Sequence, residues 1–305
     1  MVSLHQLRCF LATVEHGSFT KAADSLGLAQ PSLSEQIRLL ERGMSTTLFR
    51  RVGRGVVATE AALAFTPYAQ QALGAVEQGS RAVAAVDNAT TGTIRFGLFG
   101  AAHLYLGSQL VADIRQRFPS ARLELVGQNS TEVIEAVRRG RLEAALVALP
   151  VDDQALQIRP VVRDEVVYVT ADPDRARTPV TATTLAAATL VLSEVTWGDD
   201  DYTRQQLKRT VQAAGGSLQP AIEVENVETA LEIAALGLAD AITARSIFRR
   251  RQSILAAPLF SAPLRPRLFD HFAIVHRRDA VISRPVQAVI ELATARMREV
   301  VSADS

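Results

Sequence analysis

The N-terminal stretch of the chain predicts two short helices. Apolar side chains recur there at spacings of three and four residues: Leu4, Leu7, Phe10, Leu11 and Val14. That spacing is typical of a helix with one buried face. A second short helix is predicted after Ser18, whose hydroxyl is suited to cap a first turn, and Gly27 is suited to end it.

A third amphipathic helix is predicted from Gln30, with Pro31 in its first turn, where the missing N–H would be unpaired in any case. Its apolar stripe consists of Leu33, Ile37 and Leu40. Its other face is polar and then basic, with Ser32, Ser34, Glu35 and Arg38. Such a face fits a solvated surface helix. It also fits the DNA major groove, where hydroxyls and amides meet base edges and Arg meets phosphate.

A small hairpin is predicted next, because two apolar pairs, Leu48-Phe49 and Val56-Val57, flank a turn that contains glycine. Three arginines lie near its tip: Arg50, Arg51 and Arg54. By themselves they indicate a solvated basic turn. After a helix, a tight turn and a polar-faced helix, they favour the wing of a winged helix.

A long helix is predicted from about Glu60 to Asp87, with Pro67 crowding or kinking it near its start. A heptad-like seam runs along it: Ala69, Leu73, Val76, Ser80 and Val83. A lone helix with so small an apolar seam is not stable in water, so a partner helix is implied. Residues 88–92 then predict a flexible break.

From Thr93 onward the pattern changes to alternating strands and helices, which predicts an α/β arrangement. A first set comprises strands 93–99, 123–126 and 144–149, with helical faces over 104–118 and 129–140. A second set comprises strand 164–170, helix 201–213, strand 221–225, helix 227–236 and strand 239–243. Strand 269–275 and helix 284–300 return to the first set. The sequence therefore predicts two α/β lobes joined by two crossings.

The distribution of charge says more than its total. The chain of 305 residues carries a formal net charge of +1. Residues 1–59 hold seven Arg or Lys side chains and four acidic ones, so the basic excess lies on the part predicted to meet phosphate.

Composition limits the classes of function. A hydrophobic content of 48% and a charged content of 21% are typical of a soluble globular protein. No apolar run approaches a membrane span and the N-terminus lacks a signal pattern, so a cytoplasmic protein is expected. Cys9 is the single cysteine, which excludes a disulfide or a cysteine-based zinc site within this chain. Catalytic motifs are absent, so we expect no enzymatic activity and no cofactor.

Several segments resemble the LysR-type transcriptional regulators. They are Ser-Phe-Thr-Lys-Ala-Ala at 18–23, Gln-Pro-Ser-Leu-Ser at 30–34, Ile-Arg-Leu-Leu-Glu at 37–41, and Leu48-Phe49 with Arg51. The resemblance runs from Leu4 to Thr59, with Ala29 where many members have Ser. It is weaker in the C-terminal part, where Gly237 to Asp240 and Ala244 depart from the family's usual residues.

The resemblance implies an α+β multidomain fold. A winged helix-turn-helix would occupy residues 1–59, and a linker helix that pairs with that of a second subunit would occupy 60–88. A two-lobed α/β domain similar to periplasmic binding proteins would occupy 89–305. Lobe I would comprise about 93–162 and 269–300, and lobe II about 163–268.

The resemblance also implies partners. They are double-stranded DNA with an inverted-repeat operator, a small-molecule effector, a second copy of the chain in a homodimer or homotetramer, and RNA polymerase if the protein is an activator; no membrane is implied. The implied DNA-binding residues are Ser18, Lys21, Gln30, Pro31, Ser32, Ser34, Glu35, Arg38, Arg51 and Arg54.

An effector is expected between the lobes, where helix N-termini follow the carboxyl ends of strands. The candidate residues are Gly100, Ala101, Ala102, His103, Asn129, Ser130, Thr131, Ser193 and Trp197. Ala101 and Ala102 stand where the family often has a hydroxyl residue, which leaves room without polarity. His103 is either an anion-binding residue or a surface or cap residue, and Trp197 either stacks on a ligand or packs.

We therefore expect an effector with one polar or anionic end and an apolar or aromatic body. The acidic run 199–201 predicts a solvated helix start rather than a cation site, because no spaced oxygen ligands follow it. Two other classes of protein fit parts of the chain, namely a solute-binding or transport protein and an α/β enzyme. The helix-turn-helix counts against the first, and the missing catalytic set counts against the second.

Overall fold

The structure is a computed structural model that describes residues 2–53, 55–87, 93–196, 198, 201–255 and 257–303. It divides into two compact units. The first consists of Met1–Ala89 with Glu135–Leu142, and the second of Thr90–Ile134 with Glu143–Ser305. Each unit is described by itself below.

Three helices open the first unit: α1 (Leu4–His16), α2 (Phe19–Ser25) and α3 (Gln30–Met44). The predicted cap of α2 is confirmed, since the Ser18 side chain accepts a hydrogen bond from the Lys21 N–H. Pro31 lies in the first turn of α3, and Ala29 gives that helix no side-chain cap, as its methyl group requires. These helices form the predicted helix-turn-helix.

Aromatic and aliphatic side chains fill the core of the first unit. The stripe of α3 is buried as predicted, with Leu33, Ile37 and Leu40 at most 2% exposed. The Phe10 ring centroid lies 5.6 Å from that of Phe49 and 5.2 Å from that of Phe65. The core therefore joins α1 and α3 to the segments that follow them.

The predicted hairpin is confirmed as β1 (Phe49–Val52) paired antiparallel with β2 (Gly55–Ala58). Gly53 turns the chain at its tip with a φ of 58°, a conformation that favours glycine. The Val56 N–H donates to the Gly17 carbonyl at 2.9 Å, which fixes the hairpin against the end of α1. Arg54 lies outside the described residues.

The long helix is confirmed as α4 (Glu60–Asp87), with Pro67 inside it. Its predicted seam does not form one continuous exposed face. Ala69 is 1% exposed and Leu73 packs with it against the core of the first unit, whereas Val76 is 44% exposed. The apolar residues in the first half of α4 therefore belong to the core of the first unit. The side chain of Val83 and the predicted break at 88–92 lie outside the described residues.

The second unit is built on one mixed sheet. Its strands are β3 (Thr93–Phe99), β4 (Arg122–Gln128), β5 (Ala144–Leu149), β6 (Leu156–Thr170), β7 (Val180–Thr181), β8 (Leu190–Leu192), β9 (Ile222–Glu223), β10 (Asp240–Ala244) and β11 (Phe260–Arg277). They follow the order β4-β3-β5-β11-β6-β10-β8-β9, with β7 paired to β11. The helices are α5 (Ala102–Arg117), α6 (Ser130–Arg138), α7 (Ala182–Ala187), α8 (Tyr202–Ala213), α9 (Val227–Ala235), α10 (Arg245–Arg251) and α11 (Arg284–Ser302). Only the first half of α6 belongs to this unit, since the first unit includes Glu135–Leu142.

Two long antiparallel strands, β6 and β11, make the predicted crossings. They pair along their length, while β5 pairs with β11 over His271–His276 and β10 pairs with β6 over Val166–Val169. The paired rows Asp164–Asp270 and Glu165–Phe269 lie between these stretches and carry no third strand. We call these two rows the waist. They join the β5 side of the sheet, lobe I, to the β10 side, lobe II.

Several elements differ from the sequence-based expectation. Both crossing strands are longer than predicted, because each continues as long as the other pairs with it. Val111 is 37% exposed rather than buried, in a helix that Gly107 interrupts with a φ of 56°. Strand 221–225 shortens to Ile222–Glu223. Short elements such as α7, β8 and α10 were not predicted, since a single turn or a few residues show no clear period.

Candidate DNA-binding surface and effector cleft

The face of α3 opposite its apolar stripe is polar and accessible. Pro31, Ser32 and Arg38 are exposed, and Gln30 and Ser34 are half-buried. The Gln30 side-chain amide donates to the Ser34 Oγ at 2.7 Å. That bond leaves the Ser34 O–H and the Gln30 carbonyl oxygen available, which are the kinds of groups that read base edges.

Glu35 organises the basic part of this face. Its carboxylate accepts from the Arg38 guanidinium at 3.2 Å and from the Arg42 guanidinium at 2.8 Å. Both arginine side chains remain largely exposed, at 69% and 64%. Glu35 therefore holds two cations side by side. Arg42 was missed as a candidate, although its position one turn after Arg38 was a usable signal.

The other predicted DNA-binding residues surround α3. Ser18 uses its hydroxyl oxygen to cap α2, and Lys21 is exposed in the first turn of that helix. Arg51 is exposed on β1, and so is Arg50, which was not among the candidates. Because side chains alternate along a strand, these two arginines lie on opposite faces of the ribbon.

Glu41, at the end of α3, was also missed. Its Oε1 accepts from the Leu48 N–H at 2.7 Å and from the Phe49 N–H at 3.2 Å. One carboxylate therefore fixes the start of the hairpin relative to the helix. The sequence offered no sign of this role, because any acidic residue near a helix end can be merely solvated.

The predicted effector residues of lobe I follow β3. Gly100 is exposed and Ala101 is half-buried at the start of α5. Ala102 was expected to leave room in the cleft, and this is wrong: it is 1% exposed within the hydrophobic core. Its side chain points into the core because it begins the buried face of α5.

His103 is not a free anion-binding residue. Its Nδ1 lies 3.1 Å from the Gly100 carbonyl oxygen, and its Nε2 lies 3.1 Å from the Glu228 carboxylate of α9. Both partners are acceptors, so both bonds form together only when the imidazole carries two protons. Arg251 of α10 donates to the same Glu228 oxygen at 3.0 Å. The interpretation of His103 as a cap is thus closer to what the structure shows.

Residues 129–131 start α6. The Asn129 Oδ1 accepts from the Thr131 N–H at 2.6 Å, and the Ser130 Oγ accepts from the Ala148 N–H of β5 at 3.0 Å. The Asn129 contact caps the start of α6, and the Ser130 contact ties that start to β5. The Asn129 side-chain N–H groups and the Ser130 O–H remain as donors.

On the lobe II side, Ser193 follows β8, and its carbonyl accepts from Arg204 Nε at 2.8 Å. Glu194 has a φ of 61°, which is unusual for a residue with a side chain. Burial, with Asp201 and Glu225 nearby, raises the pKa of Glu194 to about 7. Asp201 caps α8, as expected for a helix start; it is half-buried, and burial raises its pKa. Trp197 and residues 199–200 lie outside the described residues.

The sequence predicts an effector with a polar or anionic end, which would need an unpaired cation in the cleft, and the contacts of Arg204 and His103 bear on that prediction. Arg204 is 7% exposed and donates to Glu223 through Nη1 at 2.6 Å, just as His103 faces Glu228. The Arg204 guanidinium is therefore already paired with a carboxylate, and the His103 ring already has a carboxylate partner.

Within the described ranges, no group of three or more His, Cys, Asp or Glu side chains is placed to hold a metal ion. No helix in the described part of the chain is long and apolar enough to cross a membrane. Cys9 is buried in α1, and burial raises the pKa of its thiol.

A winged helix-turn-helix and a two-lobed α/β domain in one chain define a DNA-binding regulator with its own ligand-binding domain. Residues 4–63 match the family described as bacterial regulatory helix-turn-helix protein, lysR family, and residues 87–298 match the LysR substrate binding domain. The chain belongs to the LysR family of transcriptional regulators.

Individual relatives agree with this assignment. The chain is 33% identical over 198 residues to an uncharacterized HTH-type transcriptional regulator, YwqM, of Bacillus subtilis, a match that covers 63% of this chain and 67% of that protein. It is 36% identical over 167 residues to the HTH-type transcriptional regulator BenM of Acinetobacter baylyi, covering 54% and 53%. Its fold is similar to that of full-length OxyR C199D from Pseudomonas aeruginosa, with a TM-score of 0.69 at 20% identity over 100% of this chain and 98% of that one.

Proposed function

We propose that two copies of this chain bind an inverted-repeat operator in double-stranded DNA and that a small molecule bound in the second unit controls transcription from it. The supporting observation is the accessible face of α3, where Gln30 and Ser34 precede two exposed arginines. This order suits a recognition helix whose first turns meet base edges while its later turns meet phosphate. The hairpin adds Arg51 as a phosphate contact, and Arg54 is proposed with it from its place in the sequence.

We assign the pairing of subunits to α4. Leu63 is 61% exposed, Tyr68 is 67% exposed and Val76 is 44% exposed, all on this helix. Large apolar side chains at such exposure favour burial against a partner. Pairing through α4 gives a homodimer, and further pairing of dimers gives a homotetramer.

The effector site is proposed in the cleft between the lobes of the second unit, bordered by Gly100, Ala101, Asn129, Ser130 and Thr131 from lobe I. Lobe II contributes Ser193, and Trp197 is included from its place in the sequence. A ligand that prefers one arrangement of the lobes shifts the population toward it. As a DNA-binding regulator the protein is expected to act in the cytoplasm, with RNA polymerase as a further partner if it activates.

A gel-shift titration tests this proposal. The protein is titrated against DNA from upstream of its own gene and against random DNA, at two salt concentrations. Preference for the upstream DNA, with affinity that falls steeply with salt, is expected. Equal affinity for both DNAs would contradict sequence-specific regulation from that site. A thermal-shift screen of small molecules then identifies the effector, because a ligand of the native state raises the unfolding temperature.

A further inference from the structure

Two aspartates face each other where the sheet of the second unit is narrowest. Asp164 of β6 and Asp270 of β11 are direct cross-strand partners in the waist. Directly opposed side chains on antiparallel strands have Cβ atoms about 5 Å apart, and like charges there repel. One of the two rows that join lobe I to lobe II is therefore a pair of carboxyl groups.

Side chains and backbone from both lobes hold the two carboxyls. The Asp164 Oδ2 accepts from the Tyr105 hydroxyl of α5 at 3.0 Å and from the Ser246 N–H of α10 at 3.3 Å. The Asp270 Oδ1 accepts from the Thr203 hydroxyl of α8 at 2.7 Å. Lobe I thus reaches the pair through Tyr105, and lobe II reaches it through Thr203 and Ser246.

The surroundings decide which carboxyl keeps a proton. Asp164 is 3% exposed and accepts two hydrogen bonds, which stabilise a carboxylate. Burial is the main cause that raises the pKa of Asp270 to about 7; the hydrogen bond from Thr203 lowers it, and the nearby Asp201 and Asp164 carboxylates raise it. Tyr105 is buried beside both aspartates, and its pKa lies well above its ordinary value, so it stays neutral.

We propose that the Asp164–Asp270 pair makes the arrangement of the two lobes depend on pH. With one proton on the pair, the Asp164–Asp270 row carries a single negative charge. When Asp270 releases that proton to water, two carboxylates oppose each other across the two strands of the waist. Any arrangement of the lobes that separates or hydrates them is then favoured, because proton binding and lobe arrangement are linked equilibria.

The experiment uses the full-length protein without DNA or effector, so its outcome is independent of the proposed operator and ligand. All chains carry Glu194→Gln, because the Glu194 carboxyl titrates in the same range. Fluorescent labels on Gln116→Cys in lobe I and Thr178→Cys in lobe II, both exposed positions, report the distance between lobes. Infrared difference spectra report the carboxylic acid band. Both are followed from two pH units below to two above the value of about 7.

Three variants are compared with the parent. Asp270→Asn keeps an acceptor for Thr203 and cannot ionise, so the distance change and the loss of the acid band should both disappear. Asp164→Asn removes the opposing charge, so both transitions should remain but move to lower pH. Asp153→Asn, at an exposed aspartate of lobe I, is the matched control and should behave as the parent does.

The outcomes separate clearly. A distance between lobes that does not change with pH in the parent overturns the proposal, even if the acid band titrates. So does a pH-dependent distance that persists in Asp270→Asn. If Asp270→Asn does not fold, Asp164→Asn decides, since an unshifted midpoint there shows that the two carboxyls do not act as a pair.

Discussion

The Gln30 side-chain amide lies 2.7 Å from the Ser34 hydroxyl oxygen, one helical turn further along the exposed face of α3. This bond fixes the direction of the Gln30 amide before DNA is present. A side chain held in place loses less conformational entropy when it binds, so its contact discriminates better between bases.

The first prediction follows from this bond. Gln30→Ala should cost about 1–3 kcal/mol at the operator and much less on random DNA, because the lost contact is to a base. Ser34→Ala should relax base preference in the same direction, since it frees the amide. Binding curves on operator and random DNA measure both. Equal losses on the two DNAs would show that Gln30 does not read bases.

A second prediction concerns Glu35, which accepts from both Arg38 and Arg42. Glu35→Gln should strengthen binding to all sequences and make it more salt-dependent, because both guanidinium groups become free to contact phosphate. Glu15→Gln, at an exposed position of α1, changes the net charge equally and is the matched control. If both variants gain the same affinity, total charge rather than the position of Glu35 explains the effect.

Arginines of the wing give a third prediction. Arg51→Ala and Arg54→Ala should each weaken binding about equally for all sequences and flatten the salt slope by roughly one unit. Arg209→Ala, an exposed arginine on α8, should leave the slope unchanged. A change of base preference in Arg51→Ala would place that side chain in a groove instead of on phosphate.

The fourth prediction separates the two sides of α4. Aspartate at both Tyr68 and Val76, which are exposed, should dissociate the oligomer while the first unit stays folded. Leu73→Asp should instead lower the unfolding temperature, because Leu73 packs against the core and a buried unpaired charge costs several kcal/mol. Sedimentation and thermal unfolding distinguish them. A Tyr68 and Val76 double variant that keeps the parent's mass would show that α4 is not the interface.

A fifth prediction concerns pH and stability. Burial raises the pKa of Glu194 from 4.5 to about 7. Between these two pH values the Glu194 carboxyl is protonated in the folded state and ionised in the unfolded state. The protonated Glu194 carboxyl contributes fully to the free energy of unfolding below about pH 4.5. This contribution is lost as the pH rises to about 7, at up to roughly 1.4 kcal/mol per pH unit. Glu194→Gln should therefore stabilise the protein relative to the parent above pH 7 and less below pH 5. Unfolding temperatures across this range test it, and an unchanged difference would contradict the assignment.

The sequence predicts best those features of the structure that depend on residues close together in the chain. The apolar spacing of Leu33, Ile37 and Leu40 is local, and it predicted both α3 and its buried face. The hydroxyl of Ser18 predicted a cap for the same reason. The winged helix-turn-helix was therefore accessible from short segments.

The second unit was predicted less well, because its contacts join distant segments. Nothing near His103 in the sequence indicates that Glu228 lies against it. Ala102 looks like a small cleft residue, yet the phase of α5 turns it into the core. The pairing of Asp164 with Asp270 depends on the register of two long strands, which no local pattern fixes. For these reasons Ala102 and His103 are no longer part of the proposed effector site, whereas the family predicted from the sequence is confirmed.

The packing of α4 has a mechanical consequence. The helix has 28 residues, which is a rod about 42 Å long. Its first half is held by Ala62, Phe65 and Ala69 in the same core as α1 and α3. Because α3 shares that core, we expect a rotation of the first half of α4 about its axis to move α3 with it. If α4 pairs as proposed, such a rotation in each subunit changes the separation of the two α3 helices, and we expect the effector to change which operator spacing both helices can contact at once.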